Sequence, residues 1–274
     1  MLSRIARYAR QTISASFDAT PTAPVTIGVV DELGAEVIAS GTATVANPDG
    51  SYGFELLPAK TAALGRLTAT WTDAAGVRLT TQHDVVGFHL IGIDRLREFE
   101  PLDDEVRYGD AKLALGRDIA SYALERACNR AFAPKLARET VTARGGRTLP
   151  LAAGPTALTS ITLDGEAVDL DGILLDPAGY LERPLGDWSY GGSYLVTYEH
   201  GEQAVDPRVS RAVGLIAADL LFGDALDGQG SGIPERATSL STSDGTFSLV
   251  TAGMGSSFSL PEVNAVVQQW RLPS

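Results

Sequence analysis

Three histidines, one cysteine and a run of aspartates are the side chains in this sequence that could do chemistry unaided. His83 is followed at once by Asp84, the make-up of a pair in which a carboxylate orients an imidazole. The residues around them alternate as a strand, and neighbours on a strand point to opposite faces, so the two are not expected to share a proton. His200 ends a strand pattern beside Gly201 and reads as a turn residue. Neither it, His83 nor His89 stands in an H-E-x-x-H spacing, and with one cysteine a closed zinc site of the usual ligands is not expected. Cys128 sits among alanines at the edge of a helical pattern and reads as a small buried residue. Asp164, Asp169, Asp171 and Asp176 crowd together but lack the D-x-[DN]-x-[DN]-G-x5-E loop of a calcium site, so they read as turn residues. Gly228-Gln229-Gly230-Ser231-Gly232 is glycine-rich, yet no lysine and no strand accompany it. No G-x-x-x-x-G-K-[ST] and no G-x-S-x-G occurs. The expectation is a chain with no catalytic residues, no metal and no cofactor.

Composition narrows the partners. The chain has 274 residues, 44% hydrophobic and 20% charged, the balance of an ordinary globular protein with room for two domains. Its formal charge is −12. Affinity for nucleic acid comes chiefly from Lys and Arg neutralising phosphates, so this chain can sit beside DNA without gripping it. A single cysteine allows no intrachain disulfide, which fits synthesis in a reducing compartment. No apolar run approaches the roughly 18 residues of a membrane span. Arg4, Arg7 and Arg10 are not followed by the apolar core of a secretory signal. They suit either an acidic neighbour or a solvated basic tail.

The elements that would position these residues follow an α+β pattern. Residues 1–90 read as a β-rich domain of immunoglobulin-like architecture. Val25–Val30, Val37–Val45, Tyr52–Leu56, Leu67–Trp71 and Val77–Val86 are strands, and Asn47-Pro48-Asp49-Gly50 and Asp73-Ala74-Ala75-Gly76 are turns. A charged linker spans 91–103, after which Asp103 or Asp104 can cap a helix running to about 131. On that helix Leu113, Ala120, Leu124, Ala127 and Ala131 form one stripe, while Leu115, Ile119 and Tyr122 lie nearly opposite. Two opposed stripes need two partners; the second is either another element of the same fold or a neighbouring subunit. Residues 136–200 return to strands, with Asp164-Gly165 as a tight hairpin. Asp206 and Pro207 then open a helix that buries Val209, Val213, Ile216, Ala217 and Leu220 and closes at Gly223. Residues 91–222 are thus expected to form one core. Residues 223–258 are rich in Gly, Ser and Thr and are expected to be a flexible loop carrying a hairpin around Asp244-Gly245.

Residues 259–274 carry the clearest local signal in the chain. Ser259 with Glu262 has the spacing of a capping box, Pro261 falls in the first turn, and Val263, Val266, Val267 and Trp270 repeat at i, i+3, i+4, i+7. A helix this short is marginal alone. Its stripe fits either a docking arm that meets another protein or a terminal helix packed on its own core.

The stretch from Asp104 to Phe222 resembles the head-to-tail connector (adaptor) neck proteins of long-tailed bacteriophages. The resemblance rests on the helix ending Tyr122-Ala-Leu-Glu-Arg-Ala-Cys-Asn-Arg-Ala-Phe132-Ala-Pro134 and on Leu149-Pro150-Leu151. It continues through Ser160-Ile161-Thr162-Leu163-Asp164-Gly165 and Tyr194-Leu-Val-Thr-Tyr-Glu-His-Gly201 into the Pro207 helix. The tail from Leu260 to Arg271 looks like the C-terminus of the actinobacteriophage branch. Their order is more specific than any one of them. The resemblance implies a structural, non-enzymatic virion protein forming a ring of about twelve copies at the neck. It would be assembled in the bacterial host cytoplasm, bound to the portal protein on one side and to a downstream neck or tail-completion protein on the other, with genomic dsDNA passing through the lumen. It further implies that Leu260, Val263, Val266, Val267 and Trp270 dock on the portal. Leu115, Ile119 and Tyr122 fall at the subunit interface. Two other readings stay open: a different neck or tail-completion protein, and a carbohydrate-binding or adhesion module using Trp71, Trp188 or Tyr190.

Overall fold

The structure, a computed structural model, describes residues 2–100, 102–226, 239–242, 245–248, 258 and 260–272. It is mixed α and β, mostly sheet with few helices. Its contacts divide the chain into two compact units, each made of two stretches: Met1–His89 with Ala133–Gln203, and Leu90–Phe132 with Ala204–Ser274. The expected division placed 91–222 in one core. The contacts instead group 133–203 with the N-terminal strands, because the chain leaves the first unit and re-enters it at adjacent points: the Gly87 N–H donates to the Pro134 carbonyl at 2.7 Å.

The first unit contains two β modules. The N-terminal one comprises β1 (Leu2–Ala6), β2 (Gln11–Ala15), β3 (Thr26–Asp31), β4 (Glu36–Ala43), β5 (Val45–Ala46), β6 (Tyr52–Leu56), β7 (Gly65–Thr72) and β8 (Arg78–Val86). One sheet has the order β1-β8-β7-β3-β4 and the other β2-β6-β5, with β1 parallel to β8. Alternation along β3 and β7 sends Ile27, Val29, Leu67, Ala69 and Trp71 inward, where they join Ile5, Ile13 and Leu56 in one core. The turn signals are used as turns. Asp73 accepts the N–H groups of Thr22 at 3.0 Å and Val77 at 2.7 Å, and the Thr22 bond in particular holds its carboxyl below the usual range. Asp49 accepts the Ser51 hydroxyl at 2.7 Å, with the same effect. Arg10 is exposed, 3.7 Å from Glu55, whereas Arg4 and Arg7 are not a solvated tail. Arg4 lies buried on β1, and Arg7 reaches the Ala62 carbonyl at 2.7 Å and the Glu199 carboxylate at 3.3 Å.

The second module comprises β9 (Lys135–Thr142), β10 (Thr148–Pro150), β11 (Pro155–Leu163), β12 (Glu166–Ala167), β13 (Leu174–Asp176), β14 (Tyr180–Glu182) and β15 (Ser193–His200). Its sheets run β12-β11-β15-β9 and β10-β14-β13 over a core of Leu149, Ile161, Leu181, Trp188, Tyr194, Val196 and Tyr198. Trp188 stands edge-on to Tyr194 at 5.1 Å, and its indole N–H donates to the Arg147 carbonyl at 3.0 Å. The Tyr198 hydroxyl donates to Glu139 at 2.6 Å; burial first, and that bond second, raise its pKa. Asp164 at φ 52° and Gly165 at φ 92° make the expected tight hairpin between Leu163 and Glu166. Gly154 has no room for a side chain, since an added Cβ would lie 2.1 Å from the Pro177 carbonyl oxygen. Gly154→Ala is therefore expected to lower stability by about 2 kcal/mol, the scale of an overpacked site, in urea denaturation. An unchanged midpoint would show that the Pro177 loop yields freely.

The second unit holds α1 (Ile93–Leu96), α2 (Asp110–Cys128), α3 (Pro207–Leu226), the strands β16 (Ser239–Thr242) and β17 (Gly245–Ser248), and α4 (Pro261–Trp270). α1 interrupts the expected linker. α2 starts later than expected because Asp104 spends its carboxylate on a turn, accepting the N–H groups of Val106 and Arg107, each at 3.0 Å. Gly109 is then the N-cap, and Asn129 ends the helix in the left-handed region. α3 begins as expected, with Asp206 accepting the Arg208 N–H at 2.7 Å. It runs past Gly223, and Leu221 takes the buried position expected of Leu220, which is 40% exposed. The reason is tertiary: Leu221 fills the space left by the missing Cβ of Gly116, which would lie 2.8 Å away. β16 and β17 pair as a hairpin, Thr242 opposite Gly245. Ser243, Asp244, the Gly228–Gly232 run and most of 223–258 lie outside the described residues.

Candidate functional site

The groups with chemical potential are dispersed. His83 is buried between two hydroxyls, Nδ1 with Ser3 Oγ at 2.5 Å and Nε2 with Thr81 Oγ1 at 2.9 Å. Asp84 points elsewhere, accepting from Arg66 Nε at 3.0 Å. Burial holds the imidazole down to about 4, against a small opposing pull from Asp84. Cys128 is buried, and burial pushes its thiol up to about 11, the setting of an inert structural cysteine. Asp169 and Asp176 each accept a backbone N–H two residues on, at 3.0 and 2.8 Å, which is turn work. Among the described residues no group of three or more His, Cys, Asp or Glu is placed to hold a metal. No described helix is long and apolar enough to cross a membrane. Trp71 and Trp188 are buried in their cores, whereas Tyr190 is 87% exposed.

The surfaces of α2 are the distinctive feature. Leu113, Ala120 and Leu124 are fully buried, as the first stripe requires. Ile119 and Tyr122 are 41% and 52% exposed, and Leu115 is half-buried, so the opposed stripe faces outward in the single chain. A third feature escapes pattern reading. Arg117, Asp118 and Glu125, charged residues on the flanks between the two stripes, are buried, as is Ser121. Arg117 Nε donates to Asp118 at 3.0 Å, and Glu125 accepts the Phe132 N–H at 3.0 Å across the turn that ends the helix. That turn gives Glu125 its partner, and nothing in the local sequence announces it.

α4 is seated on its own unit. Val263, Val266 and Val267 are buried in contact with α2 and α3, and Trp270 packs edge-on to Phe132 at 6.0 Å beneath the Arg130 guanidinium at 5.1 Å. The Leu272 N–H donates to the Cys128 carbonyl at 2.9 Å. The expectation of an arm with a free apolar face is thus corrected for the single chain. Its N-cap is Leu260, with no side-chain cap. Glu262 pairs with Arg211 at 3.1 Å, and Asn264 instead ties the helix start to both backbone groups of Phe258. Ser259 lies outside the described residues. Leu260, at the entry, is half-buried.

Each unit has a concavity among its described residues. In the first unit a cleft of about 490 Å³ is lined by Leu64, Leu67, Leu136 and Leu195, with Arg138 and Glu32 among its polar residues. In the second, a groove of about 310 Å³ runs between α3 and α4.

No known family profile matches the chain, and no curated protein matches it. Among solved structures it is similar to a chain described as the neck of an empty gene transfer agent (GTA) particle computed with C6 symmetry. The two are 19% identical with a TM-score of 0.43, over 68% of this chain and 91% of the other. That likeness gives no residue here a role.

Proposed function

We propose that this chain is a non-enzymatic structural subunit of a phage-like neck. In this reading it is a head-to-tail adaptor that forms a ring on the portal and links capsid to tail, DNA passing through the lumen. The observation that carries the reading is the outer face of α2. A helix buried along Leu113, Ala120 and Leu124 that also presents Ile119 and Tyr122 to solvent, with half-buried Leu115 beside them, has a second partner to meet. Among soluble proteins the commonest such partner is another copy. The ordered resemblance from Asp104 to Phe222 supplies the context of a neck ring, and the formal charge of −12 suits a surface past which DNA must slide. In the N-terminal module the order β1-β8-β7-β3-β4 against β2-β6-β5 supports the immunoglobulin-like reading.

Portal docking is assigned to Leu260, Val263, Val266, Val267 and Trp270. Three of these are buried on α2 and α3, so with α4 seated the segment meets the portal through the half-buried Leu260 and Trp270. The seat is incomplete: the buried Trp270 indole N–H has no acceptor among the described residues. An unmade bond of that kind costs about 1–3 kcal/mol, which a better-matched surface recovers. Trp270→Ala is expected to weaken portal binding by ~2 kcal/mol or more, since interface hot spots favour Trp. Undiminished capture of the portal by a folded Trp270→Ala chain would remove the segment from the interface.

Light scattering of the chain alone and with the portal protein tests the whole reading. The expected result is a stoichiometric ring on the portal that requires residues 259–271. A 28.8 kDa chain indifferent to the portal would move the assignment to a tail-side component. The adhesion reading keeps only Tyr190 of its three aromatics at the surface.

A further inference from the structure

A groove runs between α3 and α4. Its α3 wall is Arg208, Arg211, Ala212 and Leu215; its α4 wall is Glu262, Ala265, Val266 and Gln269. Both sets fall at i, i+3, i+4, i+7, the spacing of a seam that a third helix can lie along. Ala212 and Val266 form a buried floor, and Ala212 and Ala265 are the small residues of the two walls. The rim is polar and braced: Arg208 donates to Gln269 at 2.9 Å and Arg211 to Glu262 at 3.1 Å. Its volume of about 310 Å³ is roughly twice the ~150 Å³ of an apolar core cavity that admits benzene, so it takes more than one side chain.

The same unit carries a matching ridge. Leu115, Ile119 and Tyr122 stand at i, i+4, i+7 on α2, bulky where the groove is small. The acidic residues nearest them, Asp118 and Glu125, are buried and present no carboxylate to the groove. Exposed Arg126 follows one turn beyond Tyr122 and would share Glu262 and Gln269 with Arg211 and Arg208. Ridge and groove cannot meet within one molecule. On the α2 wheel the ridge lies about a quarter-turn from Gly116, the position that faces α3 through Leu221, and the groove opens between α3 and α4.

We infer that the Leu115-Ile119-Tyr122 ridge of one copy seats in the α3/α4 groove of the next. The contact joins two different faces of the same chain, so it is heterologous and repeats head to tail until it closes. It rests on the ring reading above and specifies the surface that reading lacks. It also makes α4 one wall of the receiving site, so a chain whose α4 has left its seat has no groove to offer.

The test is a cysteine pair across the contact, Ile119→Cys with Ala265→Cys; both are exposed positions, and native Cys128 is buried. The double variant is oxidised on the portal, with light scattering of the same sample. Non-reducing gels are expected to show a ladder of covalent multimers, and an equimolar mixture of the two single variants to show dimers. A ring that yields only monomer bands would overturn the groove contact and leave the ring reading standing. A sample that never exceeds monomer mass would overturn both. Ile119→Glu, with folding checked by circular dichroism, is expected to raise the concentration needed for assembly about 30-fold. Unchanged assembly by that folded variant would also reject the ridge.

Discussion

Trp71→Ala is expected to cost ~3–5 kcal/mol of stability. Trp71 is fully buried at the centre of the N-terminal core, on β7 with Ile27 of β3 as its cross-strand partner. Removing it leaves a cavity among Ile27, Val29 and Leu56, which sit in the backbones of two sheets and cannot collapse onto it. A polar loss is added. The indole N–H donates to Thr81 Oγ1 at 3.1 Å, and Thr81 is the residue that bonds His83 Nε2 at 2.9 Å. The variant therefore strips one member from a chain of bonds that reaches β1 through Ser3. Urea denaturation followed by Trp fluorescence and circular dichroism checks it. A loss below about 1 kcal/mol would mean that the two sheets close up over the gap.

Acidification from neutral pH to pH 4 is expected to remove about 3 kcal/mol through His83 alone. In the unfolded chain this imidazole titrates near 6.5, whereas in the fold it is held down to about 4, chiefly by burial. Between those values the unfolded chain takes up a proton that the folded chain refuses. Stability is therefore full above about pH 6.5, falls as the pH drops toward 4, and then levels as far as this group is concerned. Both ring nitrogens face hydroxyls that can donate or accept, so the neutral imidazole is satisfied in either tautomer. Asp49 and Asp73, held below the usual carboxylate range by their turn bonds, add a further loss only at more acid pH. His83→Gln keeps a donor and an acceptor and is expected to flatten the slope between pH 4 and 6.5. A wild-type slope that the variant retains in full would assign it to other groups.

The two effects also bear on assembly. Both act on the N-terminal module, whereas ridge, groove and α4 all belong to the second unit. A chain destabilised at Trp71 but still folded in its second unit is expected to keep its capacity to form the ring contact.

What the sequence determined by itself is local. Alternation in Val25–Val30 and Leu67–Trp71, the Asp-Gly turns, the Asp206-Pro207 helix start and the 3.6-residue stripe of α4 each depend on neighbours a few residues apart, so they were legible without a fold. The two opposed stripes of α2 were legible for the same reason. What only the tertiary structure decided is which partner each face receives. The α4 stripe fits its own α2 and α3 as well as any foreign surface, and its periodicity is the same in either case. Leu221 displaced Leu220 from the core because Gly116 stands opposite it, a pairing across more than a hundred residues of chain. Arg117, Asp118 and Glu125 look like solvated helix flanks until their burial is seen. β9 hid behind its charges, since Lys135, Arg138 and Glu139 obscure an alternation that pairing with β15 makes plain. The groove between α3 and α4 brings together segments that lie far apart in the chain, so no spacing within either one foretold it. Periodicity records that a face is apolar; only the packing of distant segments determines what covers it.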